Sequence, residues 1–271
     1  MSNLQFTFID VEALWDEELY HAYRAVDPRG AAKIEREEKH LHRLPCKRIV
    51  AAAAFDIELA DAGIISIGGL KAWTEHEYGG EKEVVTQLFE HLRGKPQTHV
   101  VTYGGLAAEI PLFNLASIEH ELILPPQLRT GQPIRFGAWR PHIDFALTMK
   151  GNGRDWAHMT ELGLRLGLPG ALFAGKADIS EPRNSEEWEA MRYRVSTDCI
   201  LTAMIALPYW RANDLIKLDQ SAALLTIADW CLRNGCVADA HIVQLTAVRS
   251  EMFARLGASW EEAAHPALLH A

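Results

Sequence analysis

The chain reads as an α/β protein whose core is a mixed sheet of five strands with carboxylates gathered at one end. Three observations predict this. Phe6, Phe8 and Val11 lie in a short apolar run near the amino terminus, which has the character of a buried strand. Two β-prone runs, 48–57 and 63–70, follow with only Ala60-Asp61-Ala62 between them, a connection short enough for an antiparallel hairpin. Beyond them an amphipathic helix, a short strand and further helices alternate.

The elements follow in order. After the first strand, the segment from Trp15 to His42 is polar and charged, with Lys33 to Lys39 forming a solvated face. Apolar residues at 84, 85, 88, 89 and 92 mark a helix over Glu81–Leu92, closed by Gly94. His99 to Tyr103 is a buried strand ending at Gly104-Gly105. A helix is expected from Ile110 to Leu122, then a loop marked by Pro125-Pro126 and Gly131. His142 to Leu147 is a short apolar segment, followed by the turn Gly151-Asn152-Gly153. Met159–Leu166 reads as a helix, and a loop with Gly175 and Pro182 leads to Asn184. That residue is a cap, with Glu187 three positions on. Trp188, Met191, Val195, Cys199, Thr202 and Ile205 trace the stripe of the next helix. Two final helices, 218–232 and 242–256, form an extension over 213–271 that packs on a first unit of 1–212.

Composition sets bounds on function. With 271 residues and 30.3 kDa there is ample chain for a buried core. A net charge of −9 and a pI near 5.7 argue against gripping nucleic acid by bulk electrostatics, but not against meeting phosphate through bound metal. No apolar run is long enough to span a bilayer, so no membrane partner is expected, and cytoplasmic localisation is. The four cysteines make no disulfide framework. Cys231, Cys236 and His241 match no common zinc spacing and are better explained as helix residues with buried thiols.

Two places carry an Asp-x-Glu pair at a strand. Asp10 and Glu12 stand two apart, so their carboxylates project side by side on one face. Like charges buried together need a cation, and paired oxygens suit a hard divalent ion such as Mg²⁺ or Mn²⁺. Asp56 and Glu58 offer the same pattern after Ala51–Phe55. The residues alone leave both open.

The run Tyr103-Gly104-Gly105-Leu106-Ala107-Ala108-Glu109-Ile110-Pro111 resembles the second motif of the DEDD, or DnaQ-like, superfamily of 3′–5′ exonucleases. The nearest group is the predicted exonucleases related to the proofreading domain of B-family DNA polymerases, where Tyr-Asn-Gly leads to Phe-Asp-Leu-Pro. His142-Ile143-Asp144 and Leu166-Gly167-Leu168-Pro169-Gly170 are similar to further segments of that group, and Tyr193 with Asp198 to its third motif. The likeness covers roughly residues 5–211. It implies an RNase H-like mixed five-stranded sheet flanked by helices, here with extra C-terminal helices. It also favours Asp10 and Glu12 as the first motif, because a start at Asp56 leaves the hairpin one strand short.

Carried over by position, the resemblance implies a metal-dependent 3′–5′ exonuclease hydrolysing single-stranded DNA or short RNA with two Mg²⁺ or Mn²⁺ ions. Asp10, Glu12, Glu109 and Asp198 would be the metal ligands, and Tyr193 would orient the attacking water. Tyr103, Gly104, Gly105 and Arg194 would meet substrate at single-stranded nucleic-acid ends. Three positions depart from the pattern. Glu109 stands where relatives have Asp, which carries the carboxylate about 1.5 Å further. Gly104 replaces the usual Asn. Tyr193 lies five residues before Asp198 rather than four, so a continuous helix would put Arg194, not Tyr193, on the face of Asp198, whereas a helix starting near Ser196 would let Tyr193 reach in. These departures give the alternative expectation: a catalytically impaired nuclease-fold module that binds nucleic acid or a protein partner.

Overall fold

The computed structural model describes residues 3–36, 43–129, 141–150, 153, 155–173 and 180–264, with side chains as far as residue 259. The sequence features placed at 37–42, Gly131, Gly151-Asn152 and Gly175 lie outside the described residues.

The central strand is β1 (Leu4–Trp15), and β2 (Lys47–Leu59) and β3 (Ile65–Thr74) extend the sheet on one side as a long antiparallel hairpin. On the other side β4 (His99–Thr102) and β5 (His142–Asp144) run parallel to their neighbours. The order β3-β2-β1-β4-β5 is an RNase H-like mixed sheet. Parallel strands need crossovers, and the chain supplies them as helices. They are α3 (Glu75–Tyr78) with α4 (Glu81–Arg93) before β4, and α5 (Glu109–Glu119) before β5. The charged segment after β1 folds into α1 (Glu17–Val26) and α2 (Pro28–Arg36), with Asp16 capping the first by accepting from the Leu19 amide.

The period-two alternation of β1 sorts its side chains onto two faces. Phe6 and Phe8 stack on Trp210, at ring-centroid distances of 4.8 and 6.2 Å. Ile9 and Val11 pack with Val84, Val85, Leu88 and Phe89 of α4 on the opposite face. Asp10 and Glu12 follow Phe6 and Phe8 onto the Trp210 side. Their partners across the ladder on β2 are Ala53 and Ala51. Methyl groups keep this surface low, so a helix crosses close enough for the Cys199 thiol to reach the Ala53 carbonyl at 3.6 Å.

That helix is α8 (Ser185–Ala212), preceded by α6 (Phe145–Lys150) and α7 (Met159–Arg165). Asn184 caps it by accepting from the Glu187 amide at 2.9 Å, as the sequence suggests. It runs without interruption from Ser185, so the later start near Ser196 is not found. Helices α9 (Gln220–Asn234) and α10 (Asp239–Ala264) are the last of the described residues. Leu224, Ile227, Val248 and Met252 from this pair share one core with Phe55, Ile205 and Leu207. No helix among the described residues is long and apolar enough to cross a membrane.

Candidate metal and nuclease site

Three carboxylates converge where α8 crosses β1. Asp10 and Glu12 project from the strand and Asp198 from the helix, with one oxygen of each within 4.8 Å of the others. Glu12 is buried, while Asp10 and Asp198 are half-buried. The fourth acid arrives from the first turn of α5, where Glu109 lies buried and hydrogen-bonded to Asp10. Its Oε2 is buried without a partner among the described residues. Burial first of all, and then the charges of Asp144 and Glu12, push the Glu109 carboxyl up to about 7. Cys199 lies beneath the group, and burial together with the charges of Asp10, Asp198 and Glu109 pushes its thiol well up.

The loop that delivers Glu109 is held by Asp144 at the end of β5. Its carboxylate accepts from the amides of Gly104, Leu106 and Leu147 at 3.0, 2.9 and 3.0 Å. Gly104 has φ +87° and open space where a Cβ would sit. Gly105 has none: a Cβ there would lie 2.3 Å from Thr102 Oγ1, so only glycine fits this turn. Tyr103 anchors the loop from its other side, its hydroxyl donating to the Ala157 carbonyl at 2.5 Å. Burial, then the charges of Glu161 and Asp144, push that phenol up to about 12. Asp144 is the residue sequence reasoning left without a role; its signal was a short carboxylate at a strand end directly before a helix.

On α8 the continuous helix decides which side chain meets the acids. Arg194, four residues before Asp198, donates from Nε to Glu12 Oε1 at 2.6 Å. Tyr193 instead gives its hydroxyl to Glu189 on its own helix at 3.2 Å, and the Arg192 guanidinium lies 5.6 Å from its ring centroid. In this arrangement the Tyr193 hydroxyl is therefore engaged on its own helix, and Arg194 is the side chain that meets Glu12. Tyr193, Arg194 and Asp198 line one cavity of about 340 Å³ together with His241 of α10.

With this geometry in place, the chain can be set beside known proteins. No family model matches it, and no curated protein matches it. Among solved structures it is similar to the E. coli exonuclease ExoI, in the zinc-bound form of that enzyme's complex with single-stranded DNA. The two are 13% identical, with a TM-score of 0.39. The match covers 83% of this chain and 43% of that one, so this chain spans less than half of that enzyme's length.

The rival Asp56 lies on the opposite face of the sheet. Its carboxylate accepts from Thr7 Oγ1 at 2.8 Å and pairs with Lys95 Nζ at 2.8 Å and His91 Nε2 at 3.1 Å. Although burial pushes the Asp56 carboxyl up, its bonds from His91, Lys95 and Thr7 hold it below the usual carboxylate value. Glu58 accepts from Asn3 at 2.8 Å. A further grouping, Glu81 with Glu119 and His120, is also met from within. The His120 ring is 2.9 Å from Glu81 Oε2, and Glu81 Oε1 accepts from the Ile49 amide at 2.7 Å.

Proposed function

We propose that this chain is a metal-dependent 3′–5′ exonuclease acting on single-stranded DNA ends or short RNA. The observation that carries the reading is the group of Asp10, Glu12 and Asp198 with buried Glu109 beside them. Four acids at one point, one with an orphaned buried oxygen, are stable together only with protons or cations among them. An all-oxygen donor set of this kind fits Mg²⁺ or Mn²⁺. Asp10 would bridge two such ions, Glu12 and Asp198 would complete the first position, and Glu109 would hold the second. Ions held there would supply an activated water and charge stabilisation at the departing 3′ oxygen.

The remaining residues do the work of positioning. Asp144 fixes the backbone of the Gly104–Leu106 turn, so Glu109 is presented at a set distance from Asp10. The open side of Gly104 lets substrate approach the backbone closely, and Tyr103 keeps the loop from lifting. Arg194 stabilises Glu12 in the absence of substrate, and its planar guanidinium suits the scissile or adjacent phosphate. Tyr193 serves as a wall of the cavity.

A second reading, a nuclease-fold module without useful catalysis, is favoured by the Arg194–Glu12 ion pair, which places a cation against one of the would-be ligands. Mn²⁺ titration followed by calorimetry, with digestion of end-labelled DNA and RNA oligomers in Mg²⁺ and Mn²⁺, separates the two. Stepwise release of nucleotides from 3′ ends is expected. Mn²⁺ binding without any cleavage would leave the module reading.

A further inference from the structure

Cys231 and Cys236 stand on either side of the turn that ends α9. The helix closes at Gly235, which is left-handed with φ +59° and has open space where a Cβ would sit. In this kind of turn the residue just beyond the glycine packs back on the one five positions before it, and here both are cysteines. The Cys236 thiol reaches the Cys231 carbonyl at 3.7 Å, and the two sulfurs lie within hydrogen-bond reach of each other. Both thiols are free. Their surroundings differ. Cys231 is wholly buried in the core that α9 and α10 share with Phe55 and Ile205, whereas Cys236 is half-buried. A bond from Cys231 stabilises a thiolate at Cys236 and holds that thiol below its ordinary value. The same bond, and then burial, push the Cys231 thiol well up. A closely paired, half-buried thiol and buried thiol are the two parts that disulfide exchange needs.

We propose that Cys231 and Cys236 are a reversible modification site, a dithiol that exchanges with a small-molecule disulfide such as glutathione disulfide to form an intramolecular disulfide. Cys236 is the attacking sulfur, because it is the one that solvent reaches, and Cys231 is the resolving one. The Cys236 thiolate bonds to one sulfur of glutathione disulfide, the S–S bond breaks, and a glutathione thiolate leaves. Cys231 passes its proton to that thiolate, and its sulfur attacks Cys236. The second glutathione leaves as a thiolate and takes up the proton that Cys236 first released. Two electrons pass from the protein to glutathione, and no other reactant is needed. The new bond closes the Gly235 turn and ties the end of α9 to the segment that leads into α10. No step involves the carboxylate group, so the site stands or falls apart from the nuclease reading.

The test is to incubate the full chain with excess glutathione disulfide in EDTA, alkylate the thiols that remain in denaturant, and locate each cysteine by peptide mass mapping. Trypsin cuts at Arg233, between the two residues, so their disulfide joins two peptides. Cys231 and Cys236 are expected as that linked pair, within a protein of monomeric mass, and as alkylated thiols again after dithiothreitol. Cys46 and Cys199, both buried, are expected to stay as thiols throughout. Cys231→Ala should stop the reaction at a mixed disulfide, with one glutathione on Cys236. Cys236→Ala should leave Cys231 a thiol, reacting at least about tenfold more slowly than Cys236 does in the Cys231→Ala protein. Should either variant fail to fold, the wild-type map decides by itself. Four alkylated thiols in the treated wild type would overturn the site, as would a stable glutathione adduct on Cys236 without closure. So would linkage of either residue to Cys46, Cys199 or a second chain. Equal rates of glutathione uptake in the two variants would overturn the division of roles between the sulfurs.

Discussion

Asp10-Val11-Glu12 and Asp56-Ile57-Glu58 are the same pattern on adjacent strands, yet they end as opposite kinds of site. Asp56 turns to the α4 face, where Lys95, His91 and Thr7 surround its carboxylate and hold it ionised. Asp10 and Glu12 turn to the α8 face and meet two more acids, Asp198 and Glu109. The first arrangement is complete within the protein, because each charge has its counter-charge in place. In the second, Arg194 pairs with Glu12, and Glu109 keeps a buried oxygen with no partner among the described residues and a carboxyl pushed up to about 7. An acid pair identifies a metal site by what surrounds it rather than by its own spacing.

The sharpest way to break this comparison is to neutralise each aspartate. Asp10→Asn should abolish both Mn²⁺ binding and nuclease activity while leaving the fold intact, since an amide has no charge with which to bridge two ions. Asp56→Asn should spare both but lower the melting temperature, because it leaves Lys95 and His91 beside a neutral group. Calorimetry, nuclease assays and thermal melts on the two variants settle it. Activity lost at Asp56 and kept at Asp10 would reverse the assignment of the two sites.

Much of this was legible before any coordinates. The order of strands and helices, the hairpin and the Asn184 cap all follow from periodicity and turn chemistry. The choice between the two acid pairs was not legible from local residues, because which face a strand turns inward depends on the register of its neighbours. The third motif was ambiguous for another reason: both starts of α8 had plausible local chemistry, and the buried stripe from Trp188 to Ile205 fixes the earlier one. The role of Asp144 could have been found from its place between strand and helix.

The next largest effect concerns Glu109, the longer acid at the proposed second metal position. Mn²⁺ tolerates looser geometry than Mg²⁺, which demands near-ideal octahedral coordination, so activity should be greater in Mn²⁺. Glu109→Asp should narrow that gap by raising the Mg²⁺ rate, and Glu109→Gln should lower both rates by roughly 10²-fold, as for loss of a positioned charged group. A Glu109→Asp protein inactive in both metals would mean that the site is built around glutamate.

The two sites should also respond to pH with opposite signs. The Glu109 carboxyl is raised to about 7 in the folded state, above its ordinary 4.5, so in metal-free protein its contribution is fully present below pH 4.5 and is lost as pH rises through about 7. The Asp56 carboxyl is held below its ordinary 3.8, so its contribution is present above that value and is lost as pH falls below it. Denaturant melts from pH 3 to pH 8 in EDTA should therefore show an acid-side loss removed by Asp56→Asn and a loss around neutrality removed by Glu109→Gln. Saturating Mn²⁺ should abolish the second loss and leave the first.

The smallest effect is expected where the resemblance pointed most directly to catalysis. Tyr193 spends its hydroxyl on Glu189, on the flank of α8, so Tyr193→Phe should change the cleavage rate by less than about twofold; a positioned water-orienting group would cost roughly 10²-fold. Arg194 is the informative neighbour, because it is to Glu12 what Lys95 is to Asp56. Lys95→Met should destabilise the protein, since Asp56 is buried and keeps its charge through that partner. Arg194→Met should instead leave Mn²⁺ binding intact or tighter, because Glu12 is released to the metal, while cleavage slows through loss of a phosphate contact. Binding of Mn²⁺ measured beside single-turnover cleavage reads both quantities on each variant. A large loss of rate in Tyr193→Phe with Arg194→Met unaffected would show that α8 opens before Ser196 when substrate binds, and that the continuous helix belongs to the resting protein alone.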